Sequence, residues 1–287
     1  TDERGVYTVC SDQAQPGQLY KFRIYEGGAG RVRDRADPFA RQSEVRPGTA
    51  SVVPQRERFH FTDQAWRSAQ DGGHYDRPMN IYEVHIGSWK RHMDGSVYGY
   101  RALAAPLIQY CKEHFYTHVE FLPLAEHPFD GSWGYQVSGY FSVTSRYGSP
   151  DDFCWLVNEL HKAHLGVIMD FVPVHFIPDD FALYEFDHDT GLAFSEWGSC
   201  NFDLRKPVVQ SFLQSAADFW LTECHVDGLR FDAVRNFIYV QGDEKRGENA
   251  SALCALKQMN AGLKLLHPNA LLIAEDSTSY PKVTAPV

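Results

Sequence analysis

Ionisable side chains stand at the ends of three short apolar runs of this sequence. Asp170 lies within one run and His175 follows it, while Glu275 closes the last run. Between them, Arg230 and Asp232 are two residues apart, so they share one face of a strand. A carboxylate beside an arginine is favoured in its charged form, whereas a carboxylate in an apolar pocket holds its proton. Two such carboxylates about 5 to 5.5 Å apart form the machinery of retaining glycoside chemistry.

This pattern gives each acid a predicted role. We expect Asp232, next to Arg230, to be an ionised nucleophile that forms a covalent glycosyl intermediate. We expect Glu275 to be a general acid that becomes a base once it has given up its proton. The alternative is that these residues form ordinary buried ion pairs. Their occurrence in order at successive strand ends favours catalysis.

The elements that must position these side chains are short β-rich runs alternating with helical patterns. Such alternation predicts a parallel sheet, because parallel neighbours need crossover connections. The predicted strands span residues 80–84, 118–124, 166–172, 226–233 and 270–275. The predicted helices span residues 98–113, 153–163, 207–224 and 250–266. Functional groups of parallel α/β folds gather at the carboxyl ends of the strands, where these acids stand.

Five strands fit either a doubly wound open sheet or part of a barrel. The first strand is not followed by the glycine-rich phosphate loop of the doubly wound fold, so we favour the barrel. Closing eight strands at the spacing seen here would need about 140 further residues. We therefore predict an α/β chain that is a (β/α)8 TIM-type barrel truncated after about five strands.

Residues 1–75 differ in character from residues 76–287, and we place a domain boundary between them. The run 18–25 alternates its side chains with period two, and glycines follow at 27, 28 and 30. This pattern predicts a strand and a hairpin turn of a small β domain. The glycines lack the strand-to-helix context of a phosphate loop.

The composition narrows the range of partners. The chain has 287 residues, 44% of them hydrophobic and 22% charged, which is typical of a globular protein. A net charge of -10 opposes binding to nucleic acid or to an anionic membrane and favours a polar, uncharged partner. Arginines 31, 33, 35, 41 and 46 are interleaved with acids, which predicts a domain-docking or solvated segment. The longest apolar stretch, 165–174, is about half a spanning helix, so we expect no membrane segment.

Six scattered cysteines without a CxxC pair predict reduced thiols and a cytoplasmic protein. The thirteen histidines show no HExxH pattern, so we expect no metal site. We also expect the complete protein to be a monomer.

The three strand-end segments that carry these ionisable residues resemble the first three conserved regions of the α-amylase clan, family 13 of the glycoside hydrolases. These segments are DFVPVH at 170–175, GLRFD at 228–232 and AE at 274–275. Longer segments resemble, more narrowly, the bacterial 1,4-α-glucan (glycogen) branching enzymes. They are ADPFA at 36–40, RPGTAS at 46–51, YEVHIGSW at 82–89, EHPFDGSWGYQ at 126–136 and TSRYG at 144–148. The resemblance runs over nearly the whole chain.

The resemblance implies a role for each site residue. Asp232 would be the nucleophile and Glu275 the general acid and base, with Arg230 orienting Asp232. Asp170 and His175 would line the subsite of the sugar that donates the bond. Tyr135 would be the aromatic platform under that sugar.

The resemblance also implies the reaction. An α-1,4 link of an α-glucan would be cleaved and the chain transferred to a 6-hydroxyl, which makes an α-1,6 branch in glycogen biosynthesis. No metal or organic cofactor would be needed. Residues 1–75 would be the C-terminal part of a β-sandwich carbohydrate-binding module of the family 48 type, and residues 76–287 the N-terminal part of the catalytic barrel.

One departure from the family leaves other functions open. The family uses a third carboxylate on a later strand, and the sequence ends at Val287 before that region, so we expect a fragment. The alternatives are an α-1,6 debranching hydrolase, a trehalose-releasing hydrolase of the same clan, and an inactive glucan-binding fragment.

Overall fold

The structure is a computed structural model that describes residues 8–25, 30, 32–55, 57–70, 76–178, 194–195 and 197–285. Its strands are β1 (Leu19–Tyr20), β2 (Phe22–Tyr25), β3 (Val32–Arg35), β4 (Ser51–Val52), β5 (Ile81–Val84), β6 (His118–Phe121), β7 (Ala125–Glu126), β8 (Gly139–Val143), β9 (Gly166–Phe171), β10 (His175–Phe176), β11 (Cys200–Asn201), β12 (Gly228–Phe231) and β13 (Leu271–Ala274). Its helices are α1 (Gln64–Ser68), α2 (Ile86–Trp89), α3 (Tyr100–Glu113), α4 (Pro150–Lys162), α5 (Pro207–Thr222), α6 (Arg235–Ile238) and α7 (Ala250–Leu266). Short 3₁₀ turns span Asp130–Ser132, Ser145–Tyr147, Val240–Gly242 and Glu244–Arg246.

The centre of the fold is a five-stranded parallel sheet whose strands lie side by side in chain order. From one edge to the other they are β5, β6, β9, β12 and β13. Helices α3, α4, α5 and α7 connect them in turn. A doubly wound sheet reverses its strand order at a switch point, whereas consecutive order is that of a (β/α) barrel. The predicted strands and helices are confirmed, with ends that differ by three residues at most.

Local sequence explains how α4 begins. The Ser149 hydroxyl accepts from the Asp152 backbone N–H, and the Asp152 carboxylate accepts in return from the Ser149 N–H. Pro150 occupies the first helical turn, where its missing N–H leaves no hydrogen bond unmade. The helix then buries its apolar face, including Phe153 and Leu156, against the sheet side of the core. A strong cap thus fixes the helix that leads into β9.

The predicted strand at 18–25 is two strands with different partners. β1 pairs with β4, while β2 pairs with β3, both antiparallel. The pleat breaks at Lys21 because the chain leaves one partner and joins another there. Glycines 27 and 28 of the predicted turn lie outside the described residues, as do residues 71–75 beside the predicted domain boundary.

The segment from residue 39 to residue 66 docks onto the helices and loops around the sheet. Arg41 donates to Glu223 at 2.6 Å, and Arg46 donates to Asp130 at 2.6 Å. For these two arginines the predicted docking role is confirmed, whereas position 31 lies outside the described residues. Within the described part of the chain, no helix combines the length and apolar character needed to cross a bilayer.

Candidate active site

The carboxyl ends of β9, β12 and β13 bring the predicted acids together. Asp170 on β9 and Arg230 on β12 are paired in register. Asp232 and Glu275 directly follow β12 and β13, and each backbone N–H donates to a carbonyl oxygen of the neighbouring strand at 2.9 Å. The sheet therefore fixes the backbone beneath both side chains, which is what a preorganised site requires.

One guanidinium nitrogen joins two of the carboxylates. Arg230 Nη1 lies 3.0 Å from each oxygen of Asp170 and 2.9 Å from Oδ1 of Asp232. The three side chains are only 18%, 3% and 14% exposed, in the order Arg230, Asp170 and Asp232. Among the described residues, Oδ2 of Asp232 bonds no protein group. Asp232 thus keeps one oxygen available to a ligand.

Burial dominates the acidity of both aspartates. It raises the pKa of Asp232 to about 6, with Arg230 opposing the shift and the charge of Glu275 adding to it. It raises the pKa of Asp170 to about 7, although Arg230 and the Tyr135 hydroxyl oppose this. Arg230 favours the charged form of Asp232, as predicted, but burial opposes this more strongly and the net pKa is raised. The free-energy cost of removing these charged groups from water exceeds the stabilisation that their ion pair provides.

Asp232 nevertheless ionises within the neutral range. With a pKa of about 6, most of its molecules carry a negative charge at pH 7. A carboxylate in this state is both a nucleophile and a partner for a developing positive charge.

Tyr135 belongs to the same cluster. Its hydroxyl donates to Oδ2 of Asp170 at 2.7 Å, and its ring is half-buried. The preceding residue, Gly134, has a φ of 98°, and a Cβ there would lie 2.2 Å from the Pro123 carbonyl oxygen. Only glycine fits that turn, which sets the position of Tyr135 beside Asp170. The role of the Tyr135 ring as a platform under a sugar stays a prediction.

Glu275 is held by the backbone and not by a cation. Its Oε2 accepts from the Ala233 N–H at 2.8 Å, and its carbonyl oxygen accepts from the Val234 N–H at 2.9 Å. Ala233 itself has a φ of 51°, a left-handed conformation that is strained for alanine. The strained turn after Asp232 therefore brings Glu275 onto the same edge of the sheet. Its side chain is half-buried, which departs from the predicted apolar pocket.

His175 lies on the short strand β10, which follows β9 along the chain. It is 4% exposed, and its ring centroid is 5.2 Å from that of Trp197. Burial lowers the pKa of His175 to about 4, so the imidazole is neutral at pH 7. Its Nδ1 is buried and has no hydrogen-bond partner among the described residues. A ligand hydroxyl would relieve the cost of leaving that nitrogen unbonded.

Sequence reasoning missed Glu120, a buried acid close enough to Arg230 to feel its charge. Glu120 on β6 is 8% exposed, and burial raises its pKa while the charge of Arg230 lowers it. The sequence contained a signal for Glu120, because this acid interrupts an apolar strand just as Asp170 does. Across the described residues, no group of three or more histidine, cysteine, aspartate or glutamate side chains could hold a metal ion.

The consecutive parallel strands with carboxylates at their carboxyl ends define a class, the (β/α) barrel of the TIM type. Residues 105–191 match the family model described as "Alpha amylase, catalytic domain". A crystal structure from Salmonella typhimurium, provisionally named an alpha amylase, superposes with a TM-score of 0.70 at 25% identity, over 91% of this chain and 40% of that one. The chain therefore has an α/β fold of the TIM-barrel type.

Curated relatives narrow the class further. The chain is 47% identical to the 1,4-alpha-glucan branching enzyme GlgB of Bacillus caldolyticus, over 99% of this chain and 44% of the relative. It is 45% identical to the enzyme of that name from Fusobacterium nucleatum, over 98% of this chain and 46% of the relative. The chain is thus a homologue of the bacterial 1,4-alpha-glucan branching enzymes, and it spans less than half the length of these relatives.

Proposed function

We propose that this chain is part of a 1,4-α-glucan branching enzyme, which cleaves an α-1,4 link with retention and transfers the chain to a 6-hydroxyl. The observation that carries the proposal is the Asp170–Arg230–Asp232 cluster at the carboxyl ends of β9 and β12, with Glu275 on the next strand. Similarity to branching enzymes over nearly the whole chain supports it.

In this proposal Asp232 attacks the anomeric carbon of the bound glucan while Glu275 protonates the departing 4-oxygen. A glucosyl ester of Asp232 results. Glu275, now a carboxylate, then takes the proton of an acceptor 6-hydroxyl as that oxygen attacks the same carbon and releases Asp232. The two inversions leave the α configuration unchanged.

The surrounding groups would serve this cycle in specific ways. Arg230 would orient Asp232 and favour its charged form, while the opposing effect of burial would make the carboxylate a stronger nucleophile than one in water. Asp170 and His175 would bond hydroxyls of the sugar that donates the bond. Tyr135 would support that sugar from below.

We also propose the architecture predicted from sequence. Residues 1–75 would be the end of a β-sandwich carbohydrate-binding module, and residues 76–287 the first five units of an eight-stranded barrel. Relatives more than twice as long support this assignment. An α-glucan would be the partner, without nucleic acid or membrane. We propose a cytoplasmic location from the six scattered cysteines without a CxxC pair, and a monomer for the complete protein.

The test is transfer without hydrolysis by the natural full-length protein. Amylose should lose its iodine absorbance while few new reducing ends appear. Asp232→Asn and Glu275→Gln should abolish this change, whereas Asp94→Asn, on an exposed turn, should leave it intact. Reducing ends released in step with the colour loss would indicate a hydrolase instead. Glucan binding without any colour loss would indicate a binding protein.

A further inference from the structure

The exposure of the tryptophans is uneven. The chain has six, and all of them lie in the described residues. Trp220 is fully buried, whereas Trp133 is 57% exposed and Trp197 is 46% exposed. These two are the most exposed, and both stand beside the carboxylate cluster: Trp133 two residues before Tyr135, and Trp197 against His175. A large aromatic ring left open to water at the carboxyl edge of the sheet is a feature that needs a reason.

The backbone at Trp133 is in a strained conformation. Trp133 has a φ of 54°, in the left-handed region that bulky residues rarely adopt. Its N–H donates to the Asp130 carbonyl oxygen at 3.1 Å, and the Tyr135 N–H donates to that of Ser132 at 3.0 Å. The tight turn that sets Tyr135 next to Asp170 therefore also sets Trp133. Strain of this kind persists where the surrounding structure enforces it, and it is concentrated at functional sites.

Ion pairs to Asp130 hold the turn that carries Trp133 in place. The Asp130 carboxylate accepts from Arg46 at 2.6 Å and from Arg146 at 2.7 Å. Hydrogen bonds from these two arginines lower the pKa of Asp130 to about 2, so the network stays charged at any neutral pH. Arg46 also donates to the Pro128 carbonyl oxygen at 2.6 Å. The docked N-terminal segment thus fixes the turn that carries Trp133.

The imidazole ring of His85 stacks on the indole of Trp133. The His85 and Trp133 rings are stacked, with centroids 5.7 Å apart and planes 29° apart. His85 directly follows β5, so it lies at the same carboxyl edge of the sheet as Asp232 and Glu275. His85 covers one side of the indole, and the high exposure of Trp133 leaves its remaining surface open.

We propose that Trp133, backed by His85, is a stacking platform for a glucosyl unit beyond the one at the cleaved bond. The inference rests on the proposed function and adds a residue that determines how a glucan chain is held. The Cα atoms of Trp133 and Tyr135 can be no more than about 7.6 Å apart, because each step along a trans chain is 3.8 Å. A chain seated over Tyr135 therefore passes within reach of the indole, whose flat apolar surface matches the apolar face of a pyranose.

The chain offers a matched control at the other end of the sheet. Phe115 is 83% exposed, has a φ of 60° and precedes β6 at its amino end. Glycine tolerates both left-handed positions, so Trp133→Gly and Phe115→Gly should each fold, and circular dichroism melting checks this. Only the first substitution removes an aromatic ring from the cleft.

The experiment measures binding and transfer separately in the natural full-length protein. Maltoheptaose is titrated calorimetrically into the Asp232→Asn protein with and without each glycine substitution. Trp133→Gly should weaken binding about tenfold, Trp133→Phe about threefold or less, and Phe115→Gly not at all. In the protein with Asp232 intact, Trp133→Gly should raise KM for amylose by a similar factor with kcat unchanged, since the ring contacts a unit that does not react.

Several results would overturn the inference. Maltoheptaose binding by Trp133→Gly that equals that of the wild type would do so, as would a fall in kcat with KM unchanged. An equal loss in Phe115→Gly would point to a general effect of exposed rings. Failure of the proposed function looks different: wild-type protein that binds maltoheptaose and transfers nothing overturns branching, while the binding comparison still decides the role of Trp133.

Discussion

Two charge clusters lie at opposite ends of the same pair of strands, and each places one cation between two aspartates. At the carboxyl ends of β9 and β12, Arg230 bonds Asp170 and Asp232. At the amino ends, His161 of α4 bonds Asp63 at 2.8 Å and Asp227 at 2.9 Å. The charge arithmetic is the same, but the two clusters differ in which groups are left with unused bonding capacity.

In the amino-end cluster, protein groups bond both oxygens of Asp227, whereas Oδ1 of Asp63 is buried without a hydrogen-bond partner among the described residues. Both oxygens of Asp227 are taken, by the Trp66 indole N–H at 2.8 Å, the Val167 N–H at 2.7 Å and the ring of His161. Both nitrogens of His161 face carboxylates, so the imidazole must carry two protons. This arrangement ties the segment around Trp66 to the sheet. Its role is structural.

The carboxyl-end cluster is only partly closed. Its cation is a guanidinium, which stays charged at every pH of interest. Asp232 uses one oxygen on Arg230, and the backbone amide of Ala233 holds Glu275. The comparison teaches that a buried ion pair by itself does not indicate function. The useful distinction is whether the acid with an unbonded oxygen reaches solvent, since the Asp232 side chain is 14% exposed and that of Asp63 is 1% exposed.

The largest difference between the clusters should appear in activity. Asp232→Asn should reduce glucan transfer by about 10⁴-fold or more, because no equivalent nucleophile replaces it. Its free energy of unfolding at pH 8 should be unchanged or higher. A carboxyl whose pKa is raised by folding destabilises the folded state above that pKa, and the amide carries no charge to bury. Urea unfolding and the amylose assay on one preparation test both parts, and a large loss of stability would contradict the comparison.

The second-largest effect should be on the free energy of unfolding. His161→Leu should lower the free energy of unfolding by about 3 to 5 kcal/mol, because it leaves two buried carboxylates without their cation. The remaining folded protein should keep its kcat. His164→Asn is the matched control, since His164 is exposed, three residues away and left-handed, a conformation that asparagine tolerates. A drop in kcat for His161→Leu with stability intact would reverse the assigned roles.

The pH dependence that His161 gives to stability should be opposite in sign to the pH dependence that Asp232 gives to transfer. Burial alone would lower the pKa of His161, but hydrogen bonds to Asp227 and Asp63 outweigh it and the pKa is raised. The stability that His161 contributes is therefore complete below its unfolded pKa and is lost as pH rises through its folded pKa. Asp63, with a pKa lowered to about 2, contributes stability above its unfolded value, and this is lost as pH falls toward 2.

Transfer should instead increase as pH rises through about 6, where Asp232 ionises. Unfolding free energies and transfer rates of the natural full-length protein, measured from pH 4 to pH 9, would reveal the opposing trends. His161→Gln should remove the decline in stability at high pH and leave the acidic limb of the activity profile in place. Parallel pH profiles of stability and activity would show that one cluster controls both.

The smallest effect should come from Tyr135→Phe, which removes the hydroxyl from Asp170 and keeps the ring. Losing this hydrogen bond should reduce transfer by about fivefold to tenfold and stability by about 1 kcal/mol. Tyr135→Ala removes the ring as well and should reduce transfer by a further factor of ten or more if the ring supports a sugar. Equal losses in the two variants would reject the platform role and leave only the hydrogen bond.

The sequence was a good guide to elements and to the strand-end acids. The predicted span 250–266 coincides with α7, because apolar positions three and four residues apart and flanking loop residues delimit it. Asp170, Arg230, Asp232 and Glu275 were expected on one edge, since parallel strands in chain order admit no other placement. The amino-end cluster was not foreseen, because Asp63 and His161 are 98 residues apart and no local pattern links them.

The sequence by itself determined the alternation of strands and helices and the resemblance to a family, whereas the order of the strands in the sheet came from the tertiary structure. The alternation and the resemblance follow from short-range periodicity and from motifs that fold locally. The tertiary structure alone decided the acidity of Asp232 and the exposure of Trp133. Acidity depends on how far the surrounding elements exclude water, and burial there outweighs the neighbouring arginine. The exposure of Trp133 depends on a left-handed turn held by Arg46, which lies 84 residues before the aspartate it pairs with.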